Sequence, residues 1–562
     1  MAKNIDRDRQ KIVIIGGVAG GASCAARSRR LSEKAKITIL ERGPYISFAN
    51  CGLPYYVGDI ITDEQNLIVA TPKLFKDRFH IQVRTGSNVT AIDRVQKKIE
   101  VENLRTTAKY RVSYDVLVLA PGAAPIRPPL PGIDLPGIYS LRTIPDSRQI
   151  RQWIAERNVK RAIIVGGGAI GLEMAENLAS RGISVAIIEM LNHVMPTLDD
   201  EMAVPIHNHL IKHGVSLHLG DAVAGFKQEK GKLKIKTASS QTLTADLVIL
   251  AIGVRPEITL ARNAGLEIGD KGGIRVDDQM RTSDSCIWAV GDAVEVRDFV
   301  TGEWTTAPLA GPANRQGRIA ADSIFGRDSR FRGVQNTAVC GVFGLTIAAT
   351  GATEKTLIRM KAAGQPISYE KVYLHPGHHA SYYPGASSIF LKLIFSTGDG
   401  KILGAQAVGQ EGVDKRIDVI SLAIQKSATV FDLEEAELCY APQYGAAKDP
   451  VNIAGMIAAN ALRGDSPIAH WEDTAKTDAF ILDVRSQVEF VASHVDGAIN
   501  IPLNELRSRM HELPRERQIW VYCDVGRRSY FATRALRLNG FNALNLSGGI
   551  RTYNNFKQVG LV

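Results

Sequence analysis

Two glycine-rich turns, each set between an apolar run and an apolar-periodic stretch, constrain this chain more than any other feature. In the first, Lys11-Ile12-Val13-Ile14-Ile15 reads as a buried strand, Gly16-Gly17-Val18-Ala19-Gly20-Gly21 as a tight turn, and residues 22–31 as a helix. The next strand, 37–40, ends in Glu41. In the second, a strand over 161–165 leads into Gly166-Gly167-Gly168-Ala169-Ile170-Gly171, a helix over 172–179 and a strand over 184–188 that ends in Glu189. Glycine lets the backbone approach a pyrophosphate, the free N–H groups of a helix start attract it, and an acid closing the second strand can accept bonds from a ribose. Two such units predict two dinucleotide sites in an α/β chain. The first turn departs from G-x-G-x-x-G, since Val18 holds its middle position, whereas Gly166, Gly168 and Gly171 complete the pattern in the second. Contacts are expected from Gly16, Val18, Ala19, Gly20, Glu41 and Arg42 at the first site, and from Gly166, Gly168, Ile170, Gly171, Glu189 and Gly253 at the second. A carboxylate at Glu189 would accept a ribose 2′-hydroxyl and repel a 2′-phosphate, and no arginine follows in 190–192, so NADH is preferred over NADPH.

A chain of 562 residues that is 45% hydrophobic and 22% charged exceeds one core and should form roughly three to five domains. Its apolar runs, such as 12–15 and 247–252, are strand-sized and far short of the roughly 20 residues that span a bilayer, and the polar start, 1–10, lacks the pattern of a secretory signal. Neither a membrane nor export is expected. Six cysteines, at 24, 51, 286, 340, 439 and 523, form no C-x-x-C pair, which predicts no disulfide framework, no metal site and a reducing cytoplasm. The net charge of +10 is spread among acidic residues, so phosphate-bearing small molecules are the expected partners rather than nucleic acid.

Two cysteines carry chemistry. Ser47-Phe48-Ala49-Asn50-Cys51-Gly52-Leu53-Pro54-Tyr55 places Cys51 just before a helix start, where oriented N–H groups would stabilise a thiolate. Ile46 and Tyr56 stand where a C-x-x-x-x-C partner would be, so Cys51 works without a nearby resolving cysteine. Near the C-terminus, beyond a break at Gly464-Asp465-Ser466-Pro467, a new strand opens over 479–485. There the strand 519–522, the loop Cys523-Asp524-Val525-Gly526-Arg527-Arg528-Ser529 and a helix over 530–539 would aim backbone N–H groups at Cys523 and stabilise a thiolate or persulfide without a metal. Cys24, Cys286, Cys340 and Cys439 read as inert packing residues.

The two fingerprints, with Tyr114 to Gly122 and Asp246 to Gly253, resemble the pyridine nucleotide-disulfide oxidoreductases, whose members bind FAD first and NAD(P)H second. The resemblance implies that those two runs are paired strands where the nucleotide domains exchange chain. Ile287-Trp288-Ala289-Val290-Gly291-Asp292 is similar to the second FAD motif, implying that Asp292 accepts a ribityl hydroxyl, and Pro308 to Ala313 leads into a helix, 314–324, that would face the flavin. Around Cys51 the chain resembles coenzyme A-disulfide reductases and single-cysteine NADH oxidases and peroxidases, over about its first 455 residues. In the coenzyme A branch this implies a mixed disulfide of Cys51 with coenzyme A, flanked by Ser47 and Asn50. Phosphate clamps from Arg27, Arg30 and Arg78 are expected because guanidinium forks match phosphate oxygens. Homodimerisation is implied too, with Tyr382 and Tyr440 reaching the site from the partner subunit. Cys523 to Ser529, with His494 to Pro502, resembles the rhodaneses.

The expected architecture is therefore α/β. It comprises an FAD-binding Rossmann-like domain (1–125 and 260–332), an NADH-binding one (126–259), a dimerisation domain (333–457), a linker (458–467) and a rhodanese-like domain (468–562). The expected function is NADH- and FAD-dependent reduction of coenzyme A persulfides, polysulfides and coenzyme A disulfide, with sulfane sulfur supplied by Cys523. The alternative is an NADH oxidase or peroxidase with an independent sulfurtransferase attached.

Overall fold

A computed structural model describes residues 8–562; the first seven positions of the 1–125 segment, most of the polar start among them, lie outside the described residues. The chain divides into two compact units, Met1–Ile188 with Ala222–Asn336, and Glu189–Asp221 with Thr337–Val562. No helix among the described residues is long and apolar enough to cross a membrane.

In the first unit, the strand Lys11–Ile15 lies parallel between Lys36–Glu41 and Val116–Leu119, with Gln82–Thr85 and Ile287–Ala289 at the edges of a five-stranded sheet. Ile12, Ile14, Leu117 and Val118 are fully buried, as strands of a sheet covered on both faces must be. Because neighbours flank Lys11–Ile15 on both sides, a crevice opens at its C-terminal end, where doubly wound sheets bind ligands. The helix after the turn is Gly20–Arg29, two residues earlier than the sequence predicts. Close packing explains the shift. A Cβ on Gly21 would stand 1.9 Å from the Gly16 carbonyl oxygen, and one on Gly317, in the helix Ala310–Ile324, would stand 2.3 Å from that of Gly20. Gly21 and Gly317 thus serve close backbone approach from within helices. Helix Ala310–Ile324 likewise begins before 314, since Pro312 in a first turn removes no helical hydrogen bond.

The second fingerprint strand, Arg161–Val165, lies parallel between Ser184–Glu189 and Leu247–Leu250. The runs 114–122 and 246–253 do not pair with each other as expected. Val116–Leu119 and Leu247–Leu250, buried at every position, are core strands of separate sheets, and the antiparallel pair forms just downstream from Ala123–Pro125 and Val254–Pro256. Four apolar residues in succession suit a doubly covered strand; the half-exposed segments after them are free to carry the chain across.

The second unit holds a five-stranded antiparallel sheet in the order Ala338–Val342, Leu345–Gly351, Ile402–Gly409, Ile389–Ser396, Tyr369–Leu374, packed against helix Val413–Gln425. A parallel sheet follows, ordered Ile468–Ala469, Ala543–Leu546, Ile519–Tyr522, Phe480–Asp483, Ile499–Asn500. Helix Arg527–Leu538 starts three residues before the expected 530, directly after Gly526, whose φ of +92° only glycine adopts readily.

Lys392, on a central strand, is fully buried, and its Nζ donates to Asp199 Oδ2 (2.8 Å), Glu201 Oε1 (2.7 Å) and Glu354 Oε2 (2.8 Å). These three carboxylates form a group with metal-holding geometry, and an ammonium fills it. Burial pulls the Glu354 carboxyl upward, but Lys392 and Lys371 outweigh it and bring it down to about 2. Its contribution to stability is thus complete above its ordinary 4.5 and fades as pH falls towards 2. Lys392→Met strands buried charge and is expected to cost about 3–5 kcal/mol, read as a lower urea midpoint. An unchanged midpoint would show that the cluster is not charged as described.

Candidate active sites

A cavity of about 1160 Å³ opens where the strands of the first sheet end. Every residue expected at the first dinucleotide site lines it, from Gly16 and Val18 in the turn, through Glu41 and Arg42, to Asp292, Pro308 and Ala313. Its floor tolerates no side chain at Gly16 (φ +93°), where a Cβ would stand 2.0 Å from the Ala120 carbonyl oxygen. The Glu41 carboxylate is fixed at the wall by the N–H groups of Gly17 (2.9 Å) and Gly43 (2.7 Å), and its oxygens keep lone pairs for a ribose. A glycine cradle with an oriented acid in one large cleft fits FAD.

Cys51 lies in the turn Asn50–Gly52, ahead of the short helix Leu53–Val57, and faces the same cavity beside Ser47 and Asn50. It is exposed and unpaired. Ser47 is held at φ +49°, a left-handed conformation unusual outside glycine, by bonds from its own N–H to Gly17 O (2.9 Å) and from Val69 N–H to its carbonyl (2.8 Å). The Asn50 amide donates to the Arg142 carbonyl (3.3 Å), and Arg142 Nη2 donates to Asp292 Oδ2 (2.7 Å). Asp292, expected to take a ribityl hydroxyl, thus also anchors a cation near the cysteine.

The expected lowering of the Cys51 thiol by the helix start is outweighed. Desolvation within the cleft pushes its pKa up, the Glu173 carboxylate adds to this, and Arg142 pulls the other way. Glu173, on the helix Ala169–Ala179, is itself raised to about 7 by burial and then by Glu176. Sequence reasoning missed both Glu173 and Arg142. Neither sits in a motif: Glu173 is a partly buried residue of the second fingerprint helix that acts on Cys51 only through the tertiary fold, and Arg142 lies just ahead of helix Ile144–Arg157. Above about pH 7 the ionised Glu173 holds the Cys51 thiol up, so Glu173→Gln should move the pH profile of Cys51 alkylation by iodoacetamide to lower pH. A midpoint that stays in place would remove Glu173 from the site.

Of the expected phosphate clamps, Arg27 and Arg30 line the cavity, but Arg27 is held by Asp322, with Nε at 2.8 Å and Nη2 at 2.7 Å from Oδ1. Arg78 is not in the cavity wall; it lies on the exposed side of helix Pro72–Phe79, which lends the wall Leu74, Phe75 and Phe79 instead. At the second fingerprint, a Cβ on Gly166 (φ +107°) would stand 2.4 Å from Ala251 O, and one on Gly171 2.1 Å from Gly166 O. One on Gly168 would meet nothing within 4 Å, leaving that backbone open to a ligand, with Ile170 exposed beside it in the chain. Glu189 accepts the Leu191 N–H (2.9 Å), and Gly253 (φ +99°) turns the chain after Leu247–Leu250. In the second unit, the hydroxyls of Tyr382 and Tyr440 hydrogen-bond to each other at 2.7 Å, and both side chains are exposed.

Cys523 follows the central strand Ile519–Tyr522 and is buried, with Ser529 Oγ donating to its Sγ at 3.4 Å. Its carbonyl accepts Ile550 N–H (2.8 Å), and a Cβ on Gly549 would stand 2.5 Å from it, so the loop is tightly backed by Gly549. The first N–H groups of helix Arg527–Leu538 lack intrahelical partners and start at this loop, an arrangement suited to an anionic sulfur.

Comparison with known proteins matches three family models in series: pyridine nucleotide-disulphide oxidoreductase over residues 10–317, the dimerisation domain of the same family over 337–449, and a rhodanese-like domain over 468–555. Among solved structures, the chain is similar to reduced Bacillus anthracis CoADR-RHD, at 45% identity over 98% of this chain and 99% of that one, with a TM-score of 0.95. It is also similar to an NAD-dependent persulfide reductase from A. fulgidus, at 38% identity over 97% and 100%, with a TM-score of 0.89. Curated relatives include an NADH oxidase of Methanocaldococcus jannaschii, 37% identical over 79% of this chain and 97% of that protein. A coenzyme A disulfide reductase of Staphylococcus haemolyticus is 34% identical over 80% and 99%.

Proposed function

The chain belongs to the pyridine nucleotide-disulphide oxidoreductase family, and from that premise we propose that it reduces coenzyme A persulfides, polysulfides and coenzyme A disulfide with NADH, while its rhodanese-like domain supplies sulfane sulfur. The observation that carries this reading is the pairing, in one polypeptide, of a single exposed cysteine in a dinucleotide cleft with a closed cysteine loop of rhodanese type. A rhodanese-like loop has no evident use to an enzyme that reduces only simple disulfides. The similarity to the A. fulgidus persulfide reductase supports the same choice. Segments 1–125 and 260–332 are assigned to FAD, 126–259 to NADH, 333–457 to dimerisation and 468–562 to sulfur transfer, with 458–467 as linker.

FAD, when bound, supplies the route by which two electrons from NADH reach a disulfide. The chain's own residues do the rest. The Cys51 thiolate attacks the inner sulfur of a coenzyme A persulfide; a Cys51–coenzyme A disulfide forms, the sulfane bond breaks and hydrosulfide leaves. With coenzyme A disulfide the leaving group is the thiol. Two electrons then cleave the mixed disulfide, returning Cys51 and free coenzyme A. Arg142 and Glu173 set the charge around the attacking sulfur, and Arg30 stands at the wall for the ligand's phosphates. In a homodimer, Tyr382 and Tyr440 of one protomer would complete the site of the other.

Glu189 at the end of its strand leads to preference for NADH by about tenfold or more in kcat/KM, through repulsion of a 2′-phosphate; equal use of NADPH would refute that assignment. A second reading, a single-cysteine NADH oxidase or peroxidase with a separate sulfurtransferase, is favoured by the M. jannaschii relative. Oxygen dependence separates the two. With coenzyme A persulfide, NADH consumption should continue in an anaerobic cuvette; consumption that stops without oxygen or peroxide would establish the second reading.

A further inference from the structure

Three arginines surround the Cys523 loop, and two of them are already neutralised. Arg528 forms a two-pronged pair with Glu489, Nη1 at 2.8 Å from Oε2 and Nη2 at 2.6 Å from Oε1. Its hydrogen bonds bring the Glu489 carboxyl down to about 2, so the pair is ionised throughout the physiological range. Arg551 pairs with Asp524, the residue after the cysteine, with Nε 3.2 Å from Oδ1 and Nη2 2.9 Å from Oδ2. Arg527 is exposed and makes no ion pair among the described residues. Cys523 itself is only 1% exposed, so a donor can reach it with little more than its terminal sulfur, and the donor's remaining atoms must rest at the loop mouth.

We propose that this ring of paired charges makes the loop selective for organic persulfides over thiosulfate. The proposal rests on the reading of Cys523 as a sulfur carrier and adds the class of donor it accepts. Thiosulfate is a compact dianion, its charge shared between the transferred sulfur and the oxygens one bond away, and it must expel sulfite, also a dianion, at the loop mouth, beside Asp524 and near Glu489. Neither Arg528 nor Arg551 can turn to it without leaving its carboxylate unpaired, and one free arginine does not balance a dianion. In an organic persulfide such as that of coenzyme A, the charges lie many bonds away. The Cys523 thiolate attacks the terminal sulfur of R–S–SH, a Cys523–sulfur bond forms, the donor's S–S bond breaks, and R–S⁻ leaves as the thiol after taking up the proton. Sulfane sulfur changes partner with no net oxidation.

The test is donor competition on the full-length protein, with persulfide at Cys523 read by mass spectrometry after exposure to glutathione persulfide or to thiosulfate. The wild-type protein should be labelled by the organic persulfide about tenfold faster or more. Asp524→Asn and Glu489→Gln, which keep shape and leave the capping box of helix Gln487–Ala492 intact, should together raise the thiosulfate-to-persulfide rate ratio about tenfold. Equal wild-type rates with the two donors, or an unchanged ratio in the double variant, would overturn the selectivity while leaving Cys523 a carrier. Absence of labelling by either donor in the wild-type protein would instead overturn the carrier reading and the selectivity with it.

Discussion

Cys51→Ser is expected to lower NADH turnover with coenzyme A disulfide and with coenzyme A persulfide by roughly 10³-fold or more, since a serine hydroxyl at neutral pH is no substitute for a thiolate and no neighbouring cysteine can take over. The variant should still bind FAD and accept hydride from NADH, read as bleaching of the flavin absorbance, because Cys51 contributes one side chain to a cavity whose dinucleotide contacts come from the glycine turn, Glu41 and Asp292. Steady-state rates and a single anaerobic NADH titration check both halves. Retention of most of the turnover with either sulfur substrate would remove Cys51 from the reaction.

The second large effect separates the two cysteines. Cys523→Ser should abolish persulfide labelling of the C-terminal domain, because the hydroxyl placed between Ser529 and the loop backbone cannot become the attacking anion. Reduction of a small coenzyme A persulfide at Cys51 should stay within about twofold of the parent rate, since that ligand reaches the first cavity on its own contacts. Only larger or protein-bound donors should suffer. Equal and severe loss with small and large donors would place Cys523 inside the reductive cycle.

The parts of this molecule that were legible in its sequence are those that local rules decide. Both acids closing the strands that follow the glycine turns, and strand Ile519–Tyr522, lie where residue pattern alone puts them. Errors arose where tertiary contact overrides local signal. Gly20 and Gly21 read as a turn but are helical: a side chain on Gly21 would strike the Gly16 carbonyl, and the Gly20 carbonyl is packed against Gly317 of the helix Ala310–Ile324. The runs 114–122 and 246–253 read as partners, but their strands belong to different sheets and the pairing falls just downstream. The charges around Cys51 were illegible for the same reason: Arg142 meets Asp292 across 150 positions, and Glu173 acts on the cysteine from another fingerprint's helix. Arg27 reads from sequence as free for a ligand, since nothing near it announces Asp322, 295 positions away.

The most direct test of the central claim is the anaerobic stoichiometry of the reaction with coenzyme A persulfide. NADH lost at 340 nm and hydrosulfide released are measured in the same sample. Reduction through Cys51 predicts one hydrosulfide for each NADH, with both signals absent in Cys51→Ser. NADH consumed without hydrosulfide, or hydrosulfide released at an undiminished rate by Cys51→Ser, would contradict it.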